Sequence, residues 1–303
     1  MKKTNPIIEG FLSAKEPLGV VLEKYCHSDQ PLESAFLSLS KESPSNAINL
    51  KLIELIDTAI IEGHPDSNLY LFFICMVVSY YHKHNQKEKV KSLLLIGASV
   101  TSDEIKPFIK AIFISNLAIN KRWEGEIEEC NQLMKKCISF VDRAEPRANV
   151  LIQNYMTNIA LSGKLKDKNQ YQLEELNGLT PQNYLMASST IKIINCIITG
   201  NTQEGFAIYD ECKNHKDYIH ENNFETYYSL LKISTGDFNE SNYTSSDGKY
   251  MANAFQHFLS GNFEQSLKYY ALLNENYSIS NMNLSFSYLP LHLELINKKS
   301  GKT

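Results

Sequence analysis

Apolar residues recur every three or four positions along almost the whole chain, and this spacing restricts what the chain can fold into. One such series is Ile105, Phe108, Ile109, Ile112, Phe113 and Leu117, and another is Leu151, Tyr155 and Ile159. The spacing matches the roughly 3.6 residues per turn of an α-helix with one buried face. Sustained alternation of apolar and polar residues, which is typical of strands, is scarce. The sequence therefore predicts an all-α fold.

Short breaks between the apolar series carry residues that begin and end helices. Ser43-Pro44 and Thr180-Pro181 place a hydroxyl cap before a proline, and glycines stand at 163, 200, 236 and 261, where helices would stop. The breaks predict thirteen helices, near residues 46–62, 68–84, 87–96, 103–120, 124–140, 146–162, 168–177, 182–199, 203–214, 220–235, 249–260, 262–275 and 282–298. Two more short helices are predicted before residue 43, at "PLGVVLEKYC" and "PLESAFLSL".

The tight connections between these helices indicate antiparallel pairs that stack one after another. No long linker rich in glycine, serine or proline divides the 303 residues, and residues 239–249 are interpreted as a loop within the array. We expect a single domain in which residues 1–42 form an N-terminal helical cap and residues 43–303 form a continuous repeat array. A cap is expected because a terminal repeat exposes an apolar end.

Composition argues against several classes of partner. The net charge is -4, with 43% hydrophobic and 21% charged residues, and the basic residues are dispersed. This distribution disfavours direct binding to nucleic acid or to anionic lipid. The most apolar stretch, residues 69–81, is too short for the roughly 20 residues that cross a bilayer, and Pro6, Glu9 and Gly10 interrupt any export signal at the N-terminus. No membrane association is expected.

The six cysteines favour a reducing compartment. They lie scattered inside apolar helical patterns, without the spacing of a disulfide framework or of a zinc site, at Cys26, Cys75, Cys130, Cys137, Cys196 and Cys212. We therefore expect reduced thiols and a cytoplasmic protein. The pattern does not define the oligomeric state.

Four similar bends follow apolar helices: "SGKL" at 162, "TGNT" at 199, "TGDF" at 235 and "SGNF" at 260. The first three are 37 and 36 residues apart, and the polar segments that begin at His84 and Asn120 are also 36 apart. This interval is typical of helix-turn-helix units that stack into solenoids. A glycine at each bend lets one helix fold back on its predecessor.

The segment "YMANAFQHFLSGNFEQSLKYYALL" resembles a tetratricopeptide repeat. The family's large, small, bend, small and aromatic positions are matched by Tyr250, Ala254, Gly261-Asn262, Ser266 and Tyr270. The sequence departs from the family's pattern in that Asn253, His257 and Ser278 stand where the family prefers leucine, tyrosine and proline. The resemblance covers residues 249–275 and extends more loosely over residues 103–275.

The resemblance implies an α-solenoid of antiparallel helix pairs whose first helices line a concave surface. Such a surface grips a peptide or protein segment. By position in this repeat, Met251, Phe255 and Phe258 would face the groove and bind the partner. No cofactor and no metal is implied.

Three clusters contain side chains that could bind a metal or catalyse a reaction, and each has a simpler structural interpretation. His82 and His84 form an HxH pair, but side chains two apart on a helix diverge, so a solvated helix end is favoured over a metal site. Cys130 and Cys137 share a helix face, where core packing is favoured over redox or metal chemistry. The acidic residues 124–130 fit the first turns of a helix better than acid–base catalysis. No catalytic residue is predicted.

The sequence favours a non-enzymatic protein-binding module: an adaptor, a chaperone or a regulatory scaffold. The alternative is a regulator that senses a peptide or small ligand and changes its partner binding as the helical array closes. An enzyme whose site converges from distant helices is the third possibility, and it would require a deep pocket with perturbed titrating groups.

Overall fold

The computed structural model describes the backbone of residues 5–42, 47–84, 86–100, 104–145, 147–148, 151–152, 154–155, 176–213, 221–243, 246–262, 264–266, 268–269 and 272. Within these ranges every regular element is helical and no strand is present, so the predicted all-α class is confirmed. The chain forms two compact units, unit 1 over Met1–Leu151 and unit 2 over Ile152–Thr303. The predicted arrangement, a cap at residues 1–42 followed by one continuous array, stays a prediction. None of the described helices is long and apolar enough to cross a membrane.

Unit 1 contains eight of the described α-helices. They are α1 (Pro6–Ser13), α2 (Leu18–Tyr25), α3 (Pro31–Ser40), α4 (Leu50–Glu62), α5 (Ser67–Lys83), α6 (Lys87–Val100), α7 (Pro107–Trp123) and α8 (Ile127–Ile138). The described residues 5–42 thus hold three helices and not the predicted two, because α1 precedes the two helices that the sequence indicates. The predicted boundary between residues 42 and 43 lies inside unit 1, where α3 packs against α4.

Side-chain caps explain where several of these helices begin. Asn5 accepts a hydrogen bond from the amide of Ile7, at 2.9 Å, just before the proline that opens α1. Asp66 likewise accepts hydrogen bonds from the amides of Asn68 and Leu69 at the start of α5. These bonds satisfy amides that have no partner within the helix. The start of α7 lies at Pro107 and not at the predicted residue 103, since proline fits the first helical position.

Two consecutive hairpins in unit 1, α5–α6 and α7–α8, repeat one backbone plan. Equivalent helices begin 40 residues apart: α5 and α7 begin at Ser67 and Pro107, and α6 and α8 begin at Lys87 and Ile127. This repeat is longer than the 36-residue spacing of the polar segments. Helix α5 packs against α6 and α7, and α7 packs against α8. The plan is therefore a repeated helical hairpin.

Hydrogen bonds between the hairpins show that their first helices run parallel. Near the start of α5, Asn68 Oδ1 accepts the amide of Lys106, at 2.6 Å, immediately before α7. Further along, Ser79 Oγ lies 3.4 Å from Asn116 Oδ1 and donates to it. The partners are 38 and 37 residues apart at the two ends of the contact, so the register changes by no more than one residue along it.

Helix α5 forms the centre of unit 1. Apart from Met76, every residue from Leu69 to His82 is buried. Both Tyr80 and Tyr81 are therefore inside, at 2% and 1% exposure, although adjacent side chains on a helix point about 100° apart. The reason is that α5 contacts α1, α3, α6 and α7, so it has no solvent-facing side.

Unit 2 contains four described α-helices, which are α9 (Pro181–Thr199), α10 (Thr202–Lys213), α11 (Glu221–Ser234) and α12 (Ser246–Leu259), and a short 3₁₀ helix at Glu240–Asn242. Helix α9 packs against α10 and α11, α10 packs against α11, and α11 packs against α12. The predicted start at Thr180-Pro181 is confirmed. The predicted loop at residues 239–249 is shorter than expected, because α12 begins at Ser246.

Glycine corners end three of the helices in the same way. Gly125, Gly236 and Gly261 have φ of 83°, 89° and 78°, and each amide bonds back three residues while the next amide bonds back five. This left-handed cap satisfies the last carbonyls of a helix and suits glycine, which has no Cβ to clash. Gly200 also has a positive φ, of 75°. The predicted stops at 200, 236 and 261 are confirmed.

Some of the remaining predicted helices agree with the structure, and others lie wholly or mostly outside the described residues. The other helices of the middle of the chain agree with prediction to within about four residues at each end. The glycine at 163, Ser43-Pro44 and the predicted helix 282–298 lie outside the described residues. So do most of the predicted helices 146–162 and 168–177. Of the predicted helix 262–275, residues 262, 264–266, 268–269 and 272 are described, and all of these except 262 are helical.

Candidate functional site

The residues predicted to bind a partner lie on α12, mostly within the core of unit 2. Met251 and Phe255 are both 0% exposed and belong to a cluster with residues of α9, α10 and α11, whereas Phe258 packs at its edge and is partly buried. The ring of Phe255 lies 5.4 Å from that of Phe238. A partner could reach Met251 and Phe255 only if the helices around α12 moved apart. Their role in binding stays a prediction.

The hairpin corner after α12 has the close approach that its small residues predict. Ser266 is 2% exposed, and its hydroxyl donates to the backbone carbonyl of Ala254 at 2.8 Å. Ala254 is fully buried at this contact. A larger side chain at either position would separate the two segments, because the contact joins a side chain directly to a helix backbone.

An open depression of about 510 Å³ lies beside α12 in unit 2. It is lined by Gly236–Glu240, Asn253 and Gln256, so its walls are mostly polar. The segment from Gly236 is positioned by the glycine corner of α11, and Asn253 comes from the second turn of α12. The depression can accommodate a small polar molecule.

The carboxylates of this depression are already engaged with amide groups of the protein. Asp237 accepts hydrogen bonds from Asn242 Nδ2 at 3.0 and 2.9 Å and from the amide of Asn239 at 3.2 Å. Glu240 accepts one from Asn253 Nδ2 at 2.9 Å. These bonds fix the turn, since aspartate and asparagine side chains commonly bond the backbone two residues on. The arrangement favours a structural role for both acids over proton transfer.

A second arrangement lies on α5, where sequence reasoning identified no site. The ring centres of Phe72 on α5 and Phe11 on α1 are 4.5 Å apart. The guanidinium of Arg147 lies 4.3 Å from the ring centre of the same Phe11. Arg147 Nε also donates to the Phe11 carbonyl at 2.8 Å. A signal for α1 was present in the sequence, because Asn5-Pro6 is the same cap-and-proline pattern that marks Thr180-Pro181.

The HxH pair is not a solvated helix end. His82 is only 8% exposed, and burial lowers its pKa to about 4, so it is neutral at pH 7. His84 lies just beyond the end of α5, with its ring 4.5 Å from that of Tyr80. The sequence interpretation was wrong for His82 because α5 is enclosed by other helices almost to its last turn.

Burial supports the packing interpretation of the cysteine pair. Cys130 and Cys137 are 1% and 0% exposed, and burial raises the pKa of both thiols. The Cys137 thiol donates to the carbonyl of Ala111 at 3.1 Å. A thiol held in the protonated state is a poor nucleophile and a poor metal ligand. None of the six cysteines forms a disulfide.

The acidic residues around α8 surround a lysine. Lys121 Nζ lies 3.6, 2.9 and 3.1 Å from carboxylate oxygens of Glu124, Glu126 and Glu129, and its hydrogen bonds to Glu126 and Glu129 raise its pKa. All four groups lie at the surface, where such pairs contribute little stability. Within the described ranges, no three histidine, cysteine or acidic side chains group as a metal site would require.

Comparisons of the chain with protein-family models, with curated proteins and with solved structures found no match.

Proposed function

We propose that this chain is a non-enzymatic protein-interaction module, a tetratricopeptide-like α-solenoid whose stacked hairpins bind a peptide or protein segment in a concave groove. The observation that carries the proposal is the repeated hairpin of unit 1. Its first helices, α5 and α7, lie parallel and in register through the hydrogen bonds from Lys106 to Asn68 and from Ser79 to Asn116. A row of parallel first helices presents one continuous face.

A groove of this kind binds a polypeptide by burying apolar side chains along the row. Aromatic and aliphatic anchors supply most of the binding free energy, and polar groups at the rim fix the register. Adaptor, chaperone and regulatory scaffold are the roles that fit this mechanism. None of the six cysteines forms a disulfide, which supports action in a reducing compartment such as the cytoplasm.

The chemistry of the candidate clusters supports a binding role over an enzymatic one. The Cys137 thiol is buried and hydrogen bonded, the Asp237 carboxylate is bonded by Asn242, and Lys121 is surrounded by glutamates. Each group has a structural task that would have to be given up for catalysis. An oxidation-sensitive or pH-dependent activity centred on these groups would contradict the proposal.

Crosslinking of the chain in its source cell, followed by mass spectrometry, tests the proposal. We expect crosslinks from lysines of the hairpins to one polypeptide partner, because a bound segment lies along the row of helices. Soluble, folded chain that yields no polypeptide partner would contradict the proposal.

A regulator that senses a small ligand is the second candidate, and the depression at Gly236–Glu240 favours it. A polar molecule bound there would contact α12 through Asn253 and Gln256, and the segment that follows α11. Ligand-dependent compaction, measured by small-angle scattering, would support this candidate. The control is Asn253→Ala, which removes the amide that bonds Glu240 and should abolish the response. If cell metabolites that stabilise the protein left its scattering profile unchanged, the small-ligand regulator would be excluded.

A further inference from the structure

Helix α1 lies on one particular side of the central helix α5. Phe72 and Tyr81 are nine residues apart, which at about 100° per residue places them on opposite faces of α5. Tyr81 faces α6, since Lys89 of that helix lies 5.1 Å from its ring. Phe72 faces α1, through the ring of Phe11 at 4.5 Å. Helix α1 is therefore on the side of α5 that points away from its own hairpin partner.

The neighbours of α5 on either side of Phe72 define this surface further. Asn68, one turn earlier on nearly the same face, bonds the residue that precedes α7. Phe36 of α3 contacts both Phe72 and Phe73, at 5.7 and 5.0 Å between ring centres. Helix α1 thus lies on the face of α5 that also contacts α3 and bonds the residue before α7, and this face is called the inner face of the row of first helices. In the solenoid proposed above, this is where a bound segment would lie.

The contacts of α1 have the form of a bound amphipathic helix. Ile7 and Ile8 are buried at 1% and 0% exposure, while Glu9 and Ser13 face solvent. Phe11 is the anchor, because Phe72 contacts one part of its ring and the Arg147 guanidinium covers another. Stacking of this kind contributes beyond the apolar area that it buries.

Arg147 also recognises the end of α1. Its Nε donates to the carbonyl of Phe11, in the last turn of the helix, where carbonyls carry partial negative charge. Phe11 and Arg147 are 136 residues apart, so this contact joins the beginning of unit 1 to the segment that follows α8. The Arg147 side chain therefore selects for a helix whose last turn carries an aromatic residue, because it contacts both the aromatic ring and the backbone carbonyl at the helix end.

We propose that α1 is a displaceable occupant of the inner face of unit 1, and that a partner binds there by replacing it with a helix of the same chemistry. That helix would carry an aliphatic pair followed, three residues later, by an aromatic anchor whose carbonyl meets Arg147. This inference rests on the proposed function, and it names the surface, the class of ligand and a built-in competitor. Partner binding is then coupled to release of the N-terminal helix.

A labelled synthetic peptide of residues 5–16 tests the proposal on the full chain. We expect the unaltered chain to capture little peptide, because its own α1 fills the surface at a high effective concentration. The Phe11→Ala chain should capture it at least about tenfold more tightly, a difference of about 1.4 kcal/mol. The same peptide with Phe11→Ala is the matched control and should bind the variant chain at least about tenfold more weakly than the unaltered peptide does, because it lacks the anchor. Adding Arg147→Ala to the variant chain should remove the gain.

Two results would overturn the proposal. One is a Phe11→Ala chain that keeps its helical circular dichroism and still fails to capture the peptide at about 1 mM, a concentration that detects even weak binding. The other comes from native-state hydrogen exchange on the unaltered chain, which does not depend on any variant folding. If α1 is displaceable, its amides must exchange with solvent through a local opening of α1, and so faster than the amides of α5. Equal protection of α1 and α5 would show that α1 leaves only when unit 1 unfolds.

The peptide experiment and the crosslinking experiment fail independently. The peptide is a segment of this chain, so its capture requires no natural partner. Capture of the peptide without any polypeptide crosslink would support displacement of α1 and contradict the proposed function. A polypeptide crosslinked elsewhere, with no peptide capture, would support the function and overturn this inference.

Discussion

The hairpins α5–α6 and α7–α8 share a backbone plan and differ in what covers them. Positions 40 residues apart are buried in both hairpins, as in the pairs Leu69 and Ile109, Leu71 and Ala111, Phe73 and Phe113, Val78 and Ala118, Val90 and Cys130, and Leu94 and Met134. Phe72, by contrast, is 1% exposed beneath α1 and α3, while its equivalent Ile112 is only partly buried. Packing between the two helices of a hairpin therefore buries the same positions in both hairpins. Burial on the inner face depends instead on whether other helices, here α1 and α3, cover it.

Truncating the covered position gives the largest expected difference between the hairpins. Phe72→Ala should lower the free energy of unfolding of unit 1 by about 3–5 kcal/mol, because it leaves a cavity among Phe11, Phe36 and α5. Ile112→Ala should cost only about 1–2 kcal/mol, since less of its surface is buried. Hydrogen exchange of the α5 and α7 amides measures both effects. Equal losses would mean that α1 and α3 add nothing to the first hairpin.

Acidification should also separate the two hairpins, through the histidine buried at the end of α5. The folded pKa of His82 is about 4, below the 6.5 of an unperturbed histidine, so the unfolded chain binds more protons between these values. Stability is full above about pH 6.5 and is lost as the pH falls toward 4, by on the order of 3 kcal/mol. The measurement is urea unfolding across this range.

Two histidine variants isolate that effect. His82→Gln should flatten the pH dependence between pH 6.5 and 4, because the titrating group is gone. His27→Gln makes the same substitution at an exposed histidine and is the matched control for the change of residue type. If the slope survived in His82→Gln, groups other than this histidine would cause it.

A close contact of α6 with the second hairpin predicts a moderate effect. A Cβ added at Gly97 would lie 2.4 Å from Cε2 of Phe113, a buried ring with little room to move. Gly97→Ala should therefore destabilise unit 1 by about 1–3 kcal/mol through overpacking. Gly19→Ala is the matched control, because nothing lies within 4 Å of its added Cβ and alanine is the better helix former. Thermal unfolding of both variants decides whether the contact is tight.

Local patterns in the sequence were sufficient for most of the helices. The long apolar series at residues 69–81 predicted α5 to within one residue at each end, and the glycines at 200, 236 and 261 ended helices as expected. Both signals act within one helix or one corner, so they require no knowledge of what packs outside. The 40-residue repeat was harder to find, because it appears in burial and not in residue identity: Phe73 matches Phe113, but Leu71 matches Ala111.

What could not be predicted depends on contacts between distant parts of the chain. The enclosure of His82 follows from the helices around α5, and nothing beside it in the sequence indicates that. Phe11 and Arg147 meet across 136 residues, and neither residue belongs to a recognisable motif. The burial of Met251 and Phe255 likewise depends on helices α9 to α11, which lie elsewhere in the sequence, and the role of these residues in binding stays a prediction.

The smallest expected effect concerns the polar contact that holds the hairpins in register. Asn68 Oδ1 accepts the amide of Lys106 at 2.6 Å, and Asn68 Nδ2 lies 3.5 Å from the carbonyl of Glu104. Asn68→Ala should cost about 1 kcal/mol, because it leaves the Lys106 amide without this acceptor at the start of α7. Asn68→Asp keeps an acceptor and loses only the longer bond, so it should recover most of the stability. Exchange rates of the first amides of α7 distinguish the two variants: if alanine and aspartate protected these amides equally, the helices would be held in register by their apolar contacts alone.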